Sequence, residues 1–310
     1  MKFRFLSYIE LESILAESGL DAAAYALKRE SFISGRSEAD VQEELDRRIA
    51  VTRAALEKGL AEAQRSRSGL TDGAAVKVAS AQRRLVKDGL VSRAIAYSLA
   101  VNEVNACGGK VVSFPTAGSS GIVPGAIWAW WDERGPSGRE TPPLPLPEAP
   151  PSPSRPYDER LRGAFLQASL VGVLIAQGAT LAGAEGGCQA ECGAAGAMAA
   201  AAIAYLEGLS LSDGFAAAAL SLKNTLGLAG DPIAGLVEVP CVKRNAFVAS
   251  QALVAVELVL AGVRSAVPFD EVVQAMKMIG DAMPVSIKES AEGGLAATPT
   301  GLAYKSKIGI

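Results

Sequence analysis

The chain has 310 residues, 49% hydrophobic and 20% charged. That is enough for a large buried core and too apolar for a disordered chain. The net charge of -3 gives no electrostatic case for nucleic acid. The absence of histidine excludes a Ser-His-Asp or Cys-His machine within this chain, and any zinc site built on imidazole. Four cysteines in so long a chain do not make a disulfide framework and read as free thiols or metal ligands. The first stretch, "MKFRFLSYIELESILAESGL", is broken by Glu10, Glu12 and Glu17 and lacks the pattern of a signal peptide, which predicts a cytoplasmic protein.

In chain order, residues 7–65 predict helices. "SYIELESILAES" carries apolar residues at helical spacing, and "SEADVQEELDRRIAVTRAALEKGLAEAQ" is a long amphipathic helix with Ser37 as N-cap, three before Asp40. "VKDGLVSRAIAYSLAVNEVNACGG" predicts another helix, closed by Gly108 and Gly109. Lys110–Phe114 is short and β-like, and Pro115–Gly121 is a loop rich in glycine and hydroxyl groups. Residues 135–157 are proline-rich and predict an exposed insertion, PPII-like or disordered. Beyond it come helices rich in Ala and Gly. "LRGAFLQASLVGVLIAQGATLAGA" is nearly long enough to cross a bilayer, but Gln167, Gln177 and its many small residues predict a buried helix and no membrane. "NAFVASQALVAVELVLAG" carries Glu257 mid-helix, and "FDEVVQAMKMIGDAM" predicts a surface helix with Asp270 as N-cap. The expected fold is mainly α: one large helical domain over 1–310. It has a helical N-terminal part at 1–65, a core at 66–134 and 158–310, and one β-like piece at 110–114. A central helix of such a bundle must be apolar all round.

Polar or glycine-rich islands interrupt this apolar background. "PTAGSSG" (Pro115–Gly121) offers Thr116, Gly118, Ser119 and Ser120 before an apolar run, which suits either an anion or a capped turn. "GAEGGCQAECG" (Gly183–Gly193) holds Cys188 and Cys192 with Glu185, Gln189 and Glu191. "LKNTLGLAGDP" places Lys223 and Asn224 in an apolar helix, and "VEVPCVKRNA" sets Cys241 beside Lys243, Arg244 and Asn245. "KESAEGGLAATPTG" is a glycine-rich C-terminal segment suited to lying across a site. Cationic neighbours favour thiolate at Cys241. Converging thiolates without histidine suit an iron–sulfur cluster, and buried structural cysteines are the other reading. Pyridoxal phosphate chemistry, with its Schiff-base lysine, fits neither the helical pattern nor the cysteine islands.

Together the stretches "NEVNACGGKVVSFPTAGSSGIVPG", "GAEGGCQAECGAAGAMAAAAI", "LKNTLGLAGDPIAGLVEVPCVKRNA" and "EGGLAATPTG" resemble the α chain of the bacterial iron–sulfur L-serine dehydratases. The weaker "SGLTDGAAVK" joins them, and the likeness runs over about residues 40–300. The resemblance implies an all-helical chain that pairs with a β chain and converts L-serine to pyruvate and ammonia. It implies a [4Fe-4S] cluster with an open iron as the Lewis acid on the β-hydroxyl, and no pyridoxal phosphate. It places cluster ligands at Cys188, in "GGCQ", and Cys241, in "VPC". The family's third cysteine precedes "DP", where this chain has Gly230, which cannot bind iron. Cys192 and Cys107 are additional cysteines, and Cys192 is a candidate substitute ligand. Thr116, Ser119 and Ser120 are then expected to hold the substrate carboxylate, with Gly118 beside them. Lys223, Asn224, Lys243, Arg244 and Asn245 are expected in the pocket wall. The base is left without a name, and a β-chain group is one source for it.

Overall fold

A long N-terminal helix is dictated by local signals, and the computed structural model shows how it starts. It describes residues 2–83, 85–86, 89–136 and 157–309. Helix α3 (Glu38–Ala61) begins at Ser37, whose hydroxyl accepts from the Asp40 N–H while the Asp40 carboxylate accepts from the Ser37 N–H. This reciprocal pair satisfies two of the donors that every helix start leaves open. Helices α1 (Tyr8–Ser18) and α2 (Ala22–Ser34) precede it, each closed by a glycine of positive φ. Then follow α4 (Ala74–Ser80), α5 (Leu90–Ala106) and α6 (Ile122–Arg134). Most of the proline-rich segment, 137–156, lies outside the described residues.

The second half runs through α7 (Glu159–Gly178), the short α8 (Gly183–Gly186), a π-helical turn (Gln189–Gly193), α9 (Ala194–Leu206) and α10 (Leu211–Lys223). It ends with α11 (Cys241–Leu260), α12 (Phe269–Ala282) and α13 (Pro299–Ile308). Among the described residues there is no β-strand; Lys110–Ser113 is irregular, Phe114 lies in a bend and no ladder partner faces them, so the expected β-like piece is a connecting segment rather than a strand.

Helix α9 is the axis of the bundle. Every residue from Ala194 to Leu206 except Tyr205 is buried, and α6, α7, α10 and α11 pack around it. Its alanines let these neighbours approach closely. The same logic joins α5 to α6, where a Cβ on Gly125 would stand 2.7 Å from the Ser98 nitrogen. Helix α7 is, among the described residues, the one helix long and apolar enough to cross a membrane, and most of its apolar stretch is buried in the bundle, with Gln167 inside. Glu257 faces outward on α11.

Polar ties lock the outer layer. Arg53 on α3 holds Asp132 on α6 at 2.8 Å, Tyr97 on α5 donates to the same carboxylate at 2.9 Å, and the Arg53 guanidinium lies over Trp128. Removing one partner of such a buried pair costs about 3–5 kcal/mol. The expected cap at Asp270 is corrected here. Pro268 is the N-cap of α12, and Asp270 instead accepts from the Tyr8 N–H at 2.8 Å, fastening the N-terminal segment to α12.

Candidate active site

The five islands meet at one end of the bundle. Asn245, fully buried one turn into α11, is the tie between two of them. Its Oδ1 accepts from the Gly121 N–H at 2.9 Å, and its Nδ2 donates to the carbonyls of Gly118 at 2.8 Å and Cys241 at 2.9 Å. Asn102 on α5 supports the same loop by donating to the carbonyls of Ala117 and Gly118. A glycine-rich loop has few side chains of its own to pack, so these two amides set its shape.

The loop's hydroxyls divide. Ser119 and Ser120 are fully buried. The Ser119 hydroxyl donates to the Phe114 carbonyl at 2.9 Å, and that of Ser120 accepts from Asn102. Thr116 is half-buried; its hydroxyl pairs with that of Ser119 at 3.1 Å and lies near the Glu191 carboxyl. Gly118 faces the same carboxyl, since a Cβ there would lie 3.6 Å from Glu191 Oε2 and 2.9 Å from Val237. The loop therefore presents Thr116 and a bare backbone to the site and keeps its serines inside.

The π-helical turn supplies the next wall. Gln189, fully buried, anchors it by donating to the Met276 carbonyl at 2.9 Å and accepting from the Gly227 N–H at 3.0 Å. Cys188 precedes the turn and Cys192 lies in it, and the two thiols hydrogen-bond each other. That bond, with Arg244 beside it, pulls the Cys188 thiol below its ordinary range. The same bond, and then burial, push the Cys192 thiol up. Cys241, at the start of α11, lies within electrostatic reach of both, and burial pushes its thiol up to about 12. Cys107 stands apart, near Glu238, Glu103 and Lys58.

Arg244 reaches the site from α11. It donates to the Ala229 carbonyl at 2.7 Å and to Asp231 at 3.1 Å, and bonds Cys188. Asp231 also accepts from the Leu295 N–H at 2.9 Å, so one carboxylate joins the arginine to the C-terminal arm. The other wall residues of the sequence reading lie differently. Lys243 has Asp72 and Glu103 as its electrostatic partners. Lys223 is half-buried at the end of α10, and the exposed Asn224 side chain closes that helix by donating to the Leu220 carbonyl at 2.8 Å. The "SGLTDG" loop is held from the "VEVPC" segment, with the hydroxyls of Ser68 and Thr71 donating to Glu238 at 2.7 and 2.6 Å.

The C-terminal arm brings a residue that the sequence reading missed. Gly230 and Lys288 form a parallel bridge, and Glu289, at φ 62°, turns its side chain into the site. A non-glycine residue in that region carries strain that its surroundings must hold. The Glu289 stem covers Gly230, where a Cβ would stand 2.8 Å from Glu289 Cγ, and its carboxylate covers Gly183, where a Cβ would stand 2.2 Å from Oε1. Glu191 and Glu289 share a hydrogen bond. Burial, and then that bond, push the Glu191 carboxyl up to about 8. The signal available in the sequence was only that both glutamates stand in glycine-rich islands.

A carboxyl that binds its proton more tightly when folded stabilises the fold at low pH, and this contribution is lost as pH rises from the ordinary carboxyl range to about 8. The thermal midpoint of the metal-free chain will therefore fall by several degrees between about pH 5 and pH 7. Glu191→Gln, which keeps a donor toward Glu289, will flatten that fall. Parallel melting curves for the two proteins would refute the shared proton.

Comparison with known proteins places the chain in a family. The family described as "Serine dehydratase alpha chain" matches residues 17–296. The chain belongs to that family. It is 39% identical over 306 residues to the "Probable L-serine dehydratase, alpha chain" of Bacillus subtilis (strain 168), covering 98% of this chain and 95% of that one. It is 38% identical over 296 residues to the "L-serine dehydratase, alpha chain" of Peptoniphilus asaccharolyticus, covering 94% of each. The "L-serine dehydratase 2" of Escherichia coli (strain K12) is 32% identical over 312 residues, with 95% of this chain but 62% of the relative covered. The matched span of the serine dehydratase α chain family contains the Thr116 loop, both cysteine islands and Glu289, which are the segments that build the site.

Proposed function

We propose that the chain is the catalytic α subunit of an L-serine dehydratase that works with a β chain. L-serine loses its α-proton and β-hydroxyl as water, and the resulting 2-aminoacrylate takes up water to give pyruvate and ammonia. The observation that carries this reading is the convergence of Thr116, Cys188, Glu191, Cys241, Arg244 and Glu289 at one end of the bundle, in a chain whose relatives bear that name.

The donor set fits a [4Fe-4S] cluster in kind, since Cys188, Cys192 and Cys241 are buried thiols within electrostatic reach of one another. Among the described residues no three His, Cys, Asp or Glu side chains close round a single point as they would for one ion. A cluster asks for something else, because each thiolate binds a different iron. Cys188 and Cys241 would hold it, and when bound it supplies a Lewis acid for the β-hydroxyl. The rest falls to the chain. Arg244 balances the negative charge at Cys188. Thr116, with the backbone beside Gly118, faces the substrate carboxylate. Glu191 takes the α-proton at its carboxylate, and burial against Glu289 sets its proton affinity near the working pH. The Glu289 arm and the start of α11 flank the site.

Gly230 favours a second reading, a subunit that folds and pairs without a working cluster. One experiment separates the two. The chain is purified without air, alone and with its β chain, and pyruvate formation from L-serine is measured beside iron and sulfide content. Turnover by iron-loaded protein is expected. Iron-loaded complex that makes no pyruvate sinks the proposal, and protein with neither iron nor turnover establishes the second reading.

A further inference from the structure

The site has a place without a side chain and a thiol without an assigned task. At Gly230 a side chain would have to push the Glu289 stem aside: a Cβ would meet Glu289 Cγ at 2.8 Å and the Glu289 nitrogen at 3.1 Å. Cys192, by contrast, is buried with its thiol against Cys188, and Cys241 and Glu191 lie within electrostatic reach. Its electrostatic neighbours are two further cysteines and Arg244 rather than carbon alone. The backbone explains the placement. Gln189–Gly193 is a π-helical turn, a feature common at functional sites, and residues four apart on it return to one face. Arg244 stands beside Cys188 and within electrostatic reach of Cys192, so cationic charge is already in place for more than one thiolate.

We propose that Cys192 is the third protein thiolate of the cluster, so that Cys188, Cys192 and Cys241 form the ligand set and Gly230 contributes none. This rests on the cluster reading above. On binding, the Cys192 S–H bond breaks, its proton leaves to solvent, and an Fe–S bond forms.

The test loads the full-length chain with iron and sulfide under anaerobic conditions. It measures iron per chain and the electron paramagnetic resonance of the reduced protein, beside the melting temperature of the metal-free chain. Wild type is expected to hold about four irons. Cys192→Ser, nearly the same size, is expected to lose at least half of them and to change the resonance while melting like wild type. Gly230→Cys added to Cys192→Ser is expected to restore the iron. If Cys192→Ser keeps full iron, the proposal falls, even where its reduction potential shifts, because Cys192 is then only a hydrogen-bonding neighbour of Cys188. If Cys192→Ser loses iron but also melts lower, the double variant decides, and no recovery overturns the assignment. Wild type without iron brings down the cluster reading itself, which is a different result from iron retained by Cys192→Ser.

Discussion

Asn245→Ala will lower the melting temperature of the chain by about 6 °C and cut turnover by about a hundredfold. The side chain is fully buried and makes three hydrogen bonds, to the Gly121 N–H and to the carbonyls of Gly118 and Cys241. Truncation leaves the Gly121 donor buried without its partner, at a cost of about 1–3 kcal/mol, and removes two further bonds of about 1 kcal/mol each. The loss of rate has a separate cause. Gly118 lies against Glu191 and Thr116 lies near it, so a loop that drifts from α11 takes Thr116 away from the proton-holding carboxyl. Calorimetry and pyruvate formation by the loaded enzyme check the two parts. Asn245→Asp keeps the acceptor for Gly121 but loses both donations, and it will fall below wild type in each assay. A wild-type rate in Asn245→Ala would show that the loop does not position the substrate.

The second large effect is at the cysteines. Cys188→Ala and Cys241→Ala will each abolish turnover, by about a thousandfold or more, and strip the chain of iron. Burial raises the Cys241 thiol to about 12, so a free thiolate there is costly and a metal bond is the natural way to deprotonate it. Cys188 is the opposite case, already favoured as thiolate by Cys192 and Arg244. Under the proposed cluster assignment the pair offers one ready ligand and one that binding must ionise, and loading is expected to proceed faster as pH rises. Cys107→Ala is the control. Its neighbours are Glu238, Glu103 and Lys58 rather than the other thiols, and it will keep wild-type iron and rate. Iron that survives in Cys188→Ala, measured with sulfide, would remove Cys188 from the ligand set.

How much was legible follows from the range of each signal. The Ser37–Asp40 capping box is local, three residues apart, and the sequence alone places it. The apolar helix α9 is legible because burial on all sides leaves no polar stripe. Asp270 misleads for the complementary reason: it has the composition of a cap, but its partner is the Tyr8 N–H from the other end of the chain. Lys110–Phe114 has the residues of a strand, yet a strand needs a ladder, and the fold brings none to it. In the site, the islands were readable from residue type, whereas the pairing of Cys188 with Cys241 came from the family resemblance. Lys223 and Asn224 interrupt an apolar helix in the sequence, and in the structure Lys223 ends that helix and Asn224 closes it. Glu289 and its bond to Glu191 were beyond reach, since the contact depends on a left-handed turn and on two glycine surfaces from other segments.

The alanine core around α9 also sets which errors this protein can tolerate. In most cores the damaging substitution removes volume and opens a hole. Here, from Ala194 to Ala204, most side chains are already a single methyl, and there is little left to remove. Harm comes from addition, because each extra methylene must push apart helices that have no slack, at about 1–3 kcal/mol per overpacked site. Tolerance along this helix is therefore one-sided: it is capped from above by contact rather than from below by cavities.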